Sequence, residues 1–257
     1  MNAITKLTYR NIFISIDKVT YSWQLVWPAA WIYIVGFSLS SLMDPDVIKI
    51  SGNSVPYYTF IAIGMLTFNA MNTSEVSGSI IWKDKRNGML LQLLTMNYSK
   101  TQYIISNLLT IVILGLGSSA LIGMIGIPAM LGHVHPNLFT IPYFLLALIC
   151  TSIFFGCISI ILSCITKNSE QFNLIINGTH YFFTFAAATF YPLNAIPEPL
   201  HTIFLFNPMT YFMELTRDAI FGVLNSNTFM EALIAIGSTL IIFVLAIAIM
   251  KRIRISH

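Results

Sequence analysis

The sequence predicts an all-α integral membrane protein with six transmembrane helices. Charged residues make up only 9% of the chain, against roughly 25% in soluble domains. Hydrophobic residues reach 56% and the mean hydropathy is +0.77. The apolar residues fall into runs of about 20, the length at which a helix crosses a bilayer with its backbone amides satisfied internally. An amphipathic N-terminal interfacial helix precedes the spans, and re-entrant outer helices separate spans five and six. The whole chain, 1–257, reads as a single transmembrane domain.

Taken in order, the leading segment is amphipathic on a helical projection. Ile12, Ile16 and Val19 lie on one side and Lys6, Arg10 and Asp17 on the other, with Leu7 and Ile14 breaking the pattern. The first span, Trp23 to Met43, is too long for a signal-peptide core and is expected to be retained. The remaining spans are Tyr57 to Ile81, Tyr103 to Leu131, Pro142 to Ile165, Phe172 to Leu193 and Phe229 to Met250. With both termini cytoplasmic, all of the 13 Lys and Arg except Lys49 and Arg217 lie inside. That bias sets the orientation of a multi-pass protein of the cell membrane. It also explains the net charge of +3 without any nucleic-acid partner.

Several chemistries are missing. No lysine follows a glycine, so there is no phosphate-wrapping loop, and neither a zinc-protease helix nor a nucleophile elbow is present. No catalytic residue and no metal site is assigned. His133 and His135 read as solvated loop residues. Cys150, Cys157 and Cys164, seven apart, fall on one helix seam about 10 Å from one to the next, too far apart to bond.

Polar residues at membrane depth face protein or water. Asn173, Asn177, His180 and Thr184 share a face of the fifth span, and Asn69, Asn72 and Thr73, followed by Glu75 and Ser79, mark the second. These faces either line a shared cavity or hydrogen-bond the bundle together, and the residues leave both open. Beyond the fifth span, Pro192, Pro197, Pro199 and Pro208 cut the chain into pieces too short to cross. In the last piece Arg217 reaches Glu214 or Asp218, as a structural ion pair or a substrate contact. This proline-rich stretch reads as re-entrant or interfacial helices on the outer face.

Two motifs carry a resemblance. The run Asp84-Lys-Arg-Asn-Gly88-Met-Leu90-Leu-Gln-Leu93-Leu94, ending in Ser99-Lys100, resembles the loop after the second span of ABC-2 type transporter permeases. Met89 stands where that family has threonine, and Asn97 where it has proline. The second motif is Asn207-Pro208-Met209-Thr210-Tyr211, Glu214, Arg217 and Phe221-Gly222, preceded by Tyr191-Pro192-Leu193 and Ile196-Pro197. It is similar to the sequence before the family's last span.

The resemblance implies a permease subunit that pairs with a second copy of itself and with a separate ATPase, which holds the ATP and Mg; this chain would bind no cofactor. It implies that the loop is a coupling helix resting in the ATPase. Lys83, Asp84, Lys85, Arg86, Gly88, Leu90, Leu91, Leu94, Asn97 and Lys100 would make that contact, the leucines packing into an apolar groove. Asn69, Asn72, Thr73, Asn173, Asn177, His180 and Thr184 would line the export path, and Tyr191, Pro192, Pro197, Asn207, Pro208, Tyr211, Glu214 and Arg217 the outer gate. A hydrophobic or amphipathic cargo suits Tyr181, Phe182, Phe183 and Phe185. A polysaccharide or lipid-linked glycan, or an ion-coupled secondary transporter, are the alternatives.

Overall fold

The computed structural model describes residues 3–16, 18–42, 48–50, 53–96, 98–193 and 196–252. It is almost wholly helical, in the order α1 (Ala3–Arg10), α2 (Lys18–Ala30), α3 (Phe37–Ser40), α4 (Tyr57–Ser74), α5 (Val76–Arg86), α6 (Met89–Thr95) and α7 (Lys100–Met130). There follow α8 (Ile141–Ile165), α9 (Ser169–Phe185), α10 (Glu198–Phe206), α11 (Pro208–Ile220) and α12 (Ser226–Arg252). Among the described residues the one pair of strands is a two-residue antiparallel ladder, Lys49–Ile50 with Asn53–Ser54, between α3 and α4.

Among the described residues, α7, α8 and α12 are each long and apolar enough to cross a membrane. The other apolar runs are interrupted. Between α2 and α3 lies a π-helical stretch, Trp31–Gly36, which follows Pro28. Proline has no amide to give the carbonyl of Gln24. Asn69, with its amide turned to suit its neighbours, supplies that bond from α4 at 3.0 Å. The fifth apolar run is helical only as far as Phe185 and then turns. The Thr189 hydroxyl takes the Thr184 carbonyl at 2.8 Å, which ends the helical pattern there.

The second run breaks at Glu75. Ser159 of α8 enters this break, donating to the Glu75 carbonyl at 3.1 Å and accepting from the Gly78 amide at 3.1 Å. A helix deviates where an outside hydrogen-bonding group takes over its ladder, and the approach requires glycine. A Cβ on Gly78 would lie 2.6 Å from both the Ser159 carbonyl and the Phe172 ring.

Two apolar clusters follow from this layout. The larger surrounds α4, of which every residue from Thr59 to Met71 is buried. The smaller sits at the basic end of the bundle, where Leu7, Ile81, Leu90, Leu93, Tyr103, Ile104, Cys157 and Met250 meet. The cysteine seam of α8 faces α12, with Cys164 Sγ 3.5 Å from Met250 Sδ. In α1 the buried side carries Leu7, while beyond that helix Ile14 and Val19 are exposed. Of the apolar side that the projection indicates, Val19 is exposed and Ile12 and Ile16 are half-buried, while contacts with α7 cover Leu7 and Thr8.

Gly78→Ala is expected to destabilise the protein by about 1–3 kcal/mol, as overpacking of a tight crossing does. Ser159→Ala should cost about 1 kcal/mol through the lost hydrogen bonds. Thermal unfolding in detergent would measure both, and an unchanged melting point for Gly78→Ala would contradict the crossing.

Candidate functional site: the basic end, the polar crevice and the proline-rich end

At the basic end, Asp84 gathers three elements. Its Oδ2 accepts from Arg10 Nη2 of α1 at 2.6 Å and from the Tyr103 hydroxyl of α7 at 2.6 Å. Arg10 also donates to Asn11 Oδ1 at 2.7 Å, and Asn11 Nδ2 donates to Asn107 Oδ1 at 2.5 Å. Thr8 reaches the Ser106 carbonyl at 3.4 Å. The leading helix is thus tied along two turns of α7, and the last turn of α5 is held between them. A charge-assisted cluster of this kind, largely withdrawn from solvent, is strong only while all its members are present.

The basic residues beside Asp84 divide their attention. Lys83 donates to the Ser15 carbonyl at 3.0 Å and Lys85 to the Ser163 carbonyl at 2.7 Å, with the Lys85 ammonium 5.3 Å from the Trp82 ring centre. Burial pushes the Lys85 ammonium below its ordinary pKa. Arg86 is exposed, and Lys100 lies within 3.5 Å of the Lys251 carbonyl. Lys83, Lys85, Arg86 and Lys167 border a groove of about 450 Å³.

Gly88 has φ +67°, a left-handed turn that glycine adopts without strain, and it starts α6. On that helix Leu90 points into the chain's own core, whereas Met89 and Leu91 are exposed. The surface open to a partner is therefore Met89 and Leu91 with Arg86, and not Leu90. The side chain of Leu94, and Asn97, lie outside the described residues.

The polar residues of α4 and α9 separate into two groups. Asn69 and Thr73 are buried against α7, where Asn69 accepts from Ser118 Oγ at 2.8 Å and the Thr73 and Ser118 hydroxyls lie 3.1 Å apart. Thr184 is buried and donates to the His180 carbonyl at 2.7 Å. Asn72, Asn177 and His180, by contrast, line one cavity of about 330 Å³, and Asn173 a second of about 240 Å³. Glu75 and Gln24 belong to both cavities. Sequence spacing placed Asn173 and Asn177 with His180 and Thr184, yet the buried stripe of α9 is Phe172, Ile176, His180 and Thr184. The asparagines sit at its open edge.

At the proline-rich end, the Asn-Pro-Met-Thr-Tyr run is a helix-to-helix corner. Asn207 Oδ1 caps α11 by accepting from the Met209 amide at 2.9 Å, and Pro208 occupies the first turn, where no amide partner is needed. Asn207 Nδ2 donates to the Phe183 carbonyl at 2.8 Å, tying the corner to α9. Thr210 and Tyr211 close the end of α10, their hydroxyls on the Phe204 and Leu205 carbonyls, each at 2.8 Å. Gly222 ends α11 at φ +69°, and a Cβ there would meet the His135 carbonyl at 2.6 Å.

Arg217 is wholly buried. It pairs with Glu214 at 2.7 Å, stacks 3.7 Å from the Phe60 ring centre and donates to the Thr189 carbonyl at 3.3 Å. Its position across α4, α11 and the turn after α9 was not evident from spacing, which offered only the neighbouring acids. Asp218 turns away from it and accepts from the Thr228 hydroxyl at 2.5 Å, and burial pushes its carboxyl above the usual range. Of the other outer residues, Pro192 is buried, while Tyr191 and Pro197 are exposed. Tyr58 meets His133 Nε2 at 3.2 Å.

Breaking one partner of a buried pair strands the other. Arg10→Gln is expected to cost about 3 kcal/mol, and combining it with Asp84→Asn should recover part of that loss. A double-mutant cycle read by thermal unfolding tests this; strictly additive losses would refute the coupling.

The comparisons with known proteins bear on the same two ends. No curated protein matches the chain. The family model described as "ABC-2 family transporter protein" matches residues 29–249, a stretch that begins in α2 and runs through both motifs almost to the end of α12. The chain therefore belongs to the ABC-2 family of transporter proteins, as a membrane component.

Proposed function

We propose that the chain is the permease subunit of an ATP-driven exporter, working as a pair of identical subunits with a separate ATPase that binds ATP and Mg. It bears no catalytic residue of its own. In this reading the basic end is cytoplasmic, as are both termini, and the protein is a multi-pass component of the cell membrane. The helical run α2 to α3, the broken pair α4–α5 and α9 complete six crossings with α7, α8 and α12. Helices α10 and α11 lie re-entrant at the outer face.

The observation that carries the proposal is the Arg10–Asp84–Tyr103 cluster. ATP closure moves membrane helices only through contacts that differ between the two states of the ATPase. A force applied at Met89, Leu91 and Arg86 passes through Asp84 to α1 and α7 as one block. The basic groove of Lys83, Lys85, Arg86 and Lys167 supports the same contact, since it suits acidic groups on a partner. On α9, Leu174, Tyr181, Phe182 and Phe185 are exposed, which supports placing the second copy there, with Asn173 and Asn177 toward the shared route.

An apolar groove of about 710 Å³ at the outer end of α9, lined by Tyr181, Phe182, Phe185, Tyr191, Leu200 and Phe204, supports a hydrophobic or amphipathic cargo over a glycan. Sugars need paired polar groups that this groove lacks. The Asn207 corner and Arg217 hold this region as the gate.

Leu91→Asp and Gly88→Trp are expected to leave the chain inserted but to abolish co-purification with its ATPase and cargo-stimulated hydrolysis. Full co-purification with undiminished stimulation in both would refute the coupling role. A disulfide between cysteines placed at Tyr191 in the two copies should stop export while ATP binding persists. Unaffected export would remove the gate.

A further inference from the structure

The two cavities that share Gln24 and Glu75 form one crevice between α2, the α4–α5 break and α9, running from Ser15 and Lys83 at the basic end inward to His180. Several of its polar groups have no partner among the described residues. No hydrogen bond or ion pair from the described residues reaches the Glu75 carboxyl. The Gln24 side-chain oxygen is enclosed and has no partner. His180 is 4% exposed, and its Nε2 also has no partner. The basic residue on the crevice wall, Lys83, is turned to the Ser15 carbonyl at its mouth. The Asn177 amide is likewise committed, to the Asn173 carbonyl at 2.7 Å.

Buried acceptors without donors are costly, and an ionisable side chain at membrane depth marks a functional site. Here a carboxyl and an amide oxygen await N–H donors, His180 Nε2 joins them in the tautomer that carries its proton on Nδ1, and a negative ligand would meet the Glu75 carboxylate. At the lateral rim stand Trp23 and Trp27, both more than half exposed. Indole faces attract a cation and pack against an apolar body.

We propose that this crevice binds a protonated amphipathic amine, its ammonium N–H groups shared between Glu75, Gln24 and His180 and its apolar body lying on Trp23 and Trp27. The Glu75 break is what opens the site. At the junction of α4 and α5 the Glu75 side chain lines the space between α2 and α9, beside Gln24, Asn177 and His180. The inference deepens the transport reading by naming a cargo class, and rests on it only for the step from binding to export.

The test uses the full chain in lipid nanodiscs with no ATPase present, and reads energy transfer from tryptophan to a dansyl probe. Dansylcadaverine, a primary amine, is expected to bind saturably, and its carboxylate counterpart, dansyl-6-aminohexanoate, is not. Glu75→Gln should weaken the amine at least about tenfold, the loss of a hydrogen bond to a charged group. Trp23→Ala, at an exposed position that leaves the fold intact, should weaken it by a smaller factor, measured by equilibrium dialysis. Equal binding of the two probes, or unchanged amine affinity in both variants, would overturn the proposal. A chain that binds the amine selectively but recruits no ATPase would support this site and refute the permease reading. A chain that couples to an ATPase yet binds both probes alike would do the reverse.

Discussion

Helix α4 has no free side. From Thr59 to Met71 every residue is enclosed by other helices, so each polar group on it must find its partner in a neighbour. Thr59 donates to the Ala129 carbonyl at 2.6 Å, Thr67 to Thr216 at 2.8 Å, and Ser119 to the Leu66 carbonyl at 2.9 Å. Arg217 lies over Phe60. These bonds fix α7 and α11 against α4 in a single register. Apolar packing alone would leave that register loose in a medium as apolar as the side chains. The remaining helices take their places around this axis.

The two ends of the bundle follow from where the axis stops. Toward the basic end it gives way at Glu75, where Ser159 bonds the Glu75 carbonyl and the Gly78 amide, to α5, which carries Asp84 to Arg10 and Tyr103. Toward the other end, Gly64 leaves room for Arg217. A Cβ there would meet the guanidinium at 3.3 Å and the Thr189 carbonyl at 3.3 Å. Arg217 in turn holds the turn after α9. One buried helix thus carries, at its opposite limits, the ion-paired block that faces the proposed ATPase and the corner that closes the outer groove.

The same geometry explains why polar residues of one composition serve different ends. Asn69 and Asn72 are three apart, yet Asn69 is consumed by the Pro28 defect and by Ser118, while Asn72 borders open space. Asn69 and Thr73 hold the bundle. Unsatisfied groups, at Gln24, Glu75 and His180, mark where a ligand has something to gain.

The sequence by itself determined the class of molecule, because the length and apolarity of its runs reflect a solvent that forbids unpaired backbone. It also determined the family, through the Gly88 and Asn207 motifs. Both motifs encode local geometry, a left-handed turn and a capped corner, which a few adjacent residues suffice to specify. Helices α7, α8 and α12 lie within three residues of the expected spans for the same reason. What only the tertiary structure decided is which side each helix turns inward. Leu90 faces the core and Leu91 the outside, Leu7 is the buried apolar residue of the leading helix, and Asp84 looks inward to Arg10, 74 positions away. Spacing along one helix gives a face but not its partner. That choice rests on contacts between segments distant in the chain, and above all on the helix break at Glu75, which no local pattern announces because the group that makes it, Ser159, lies on another helix.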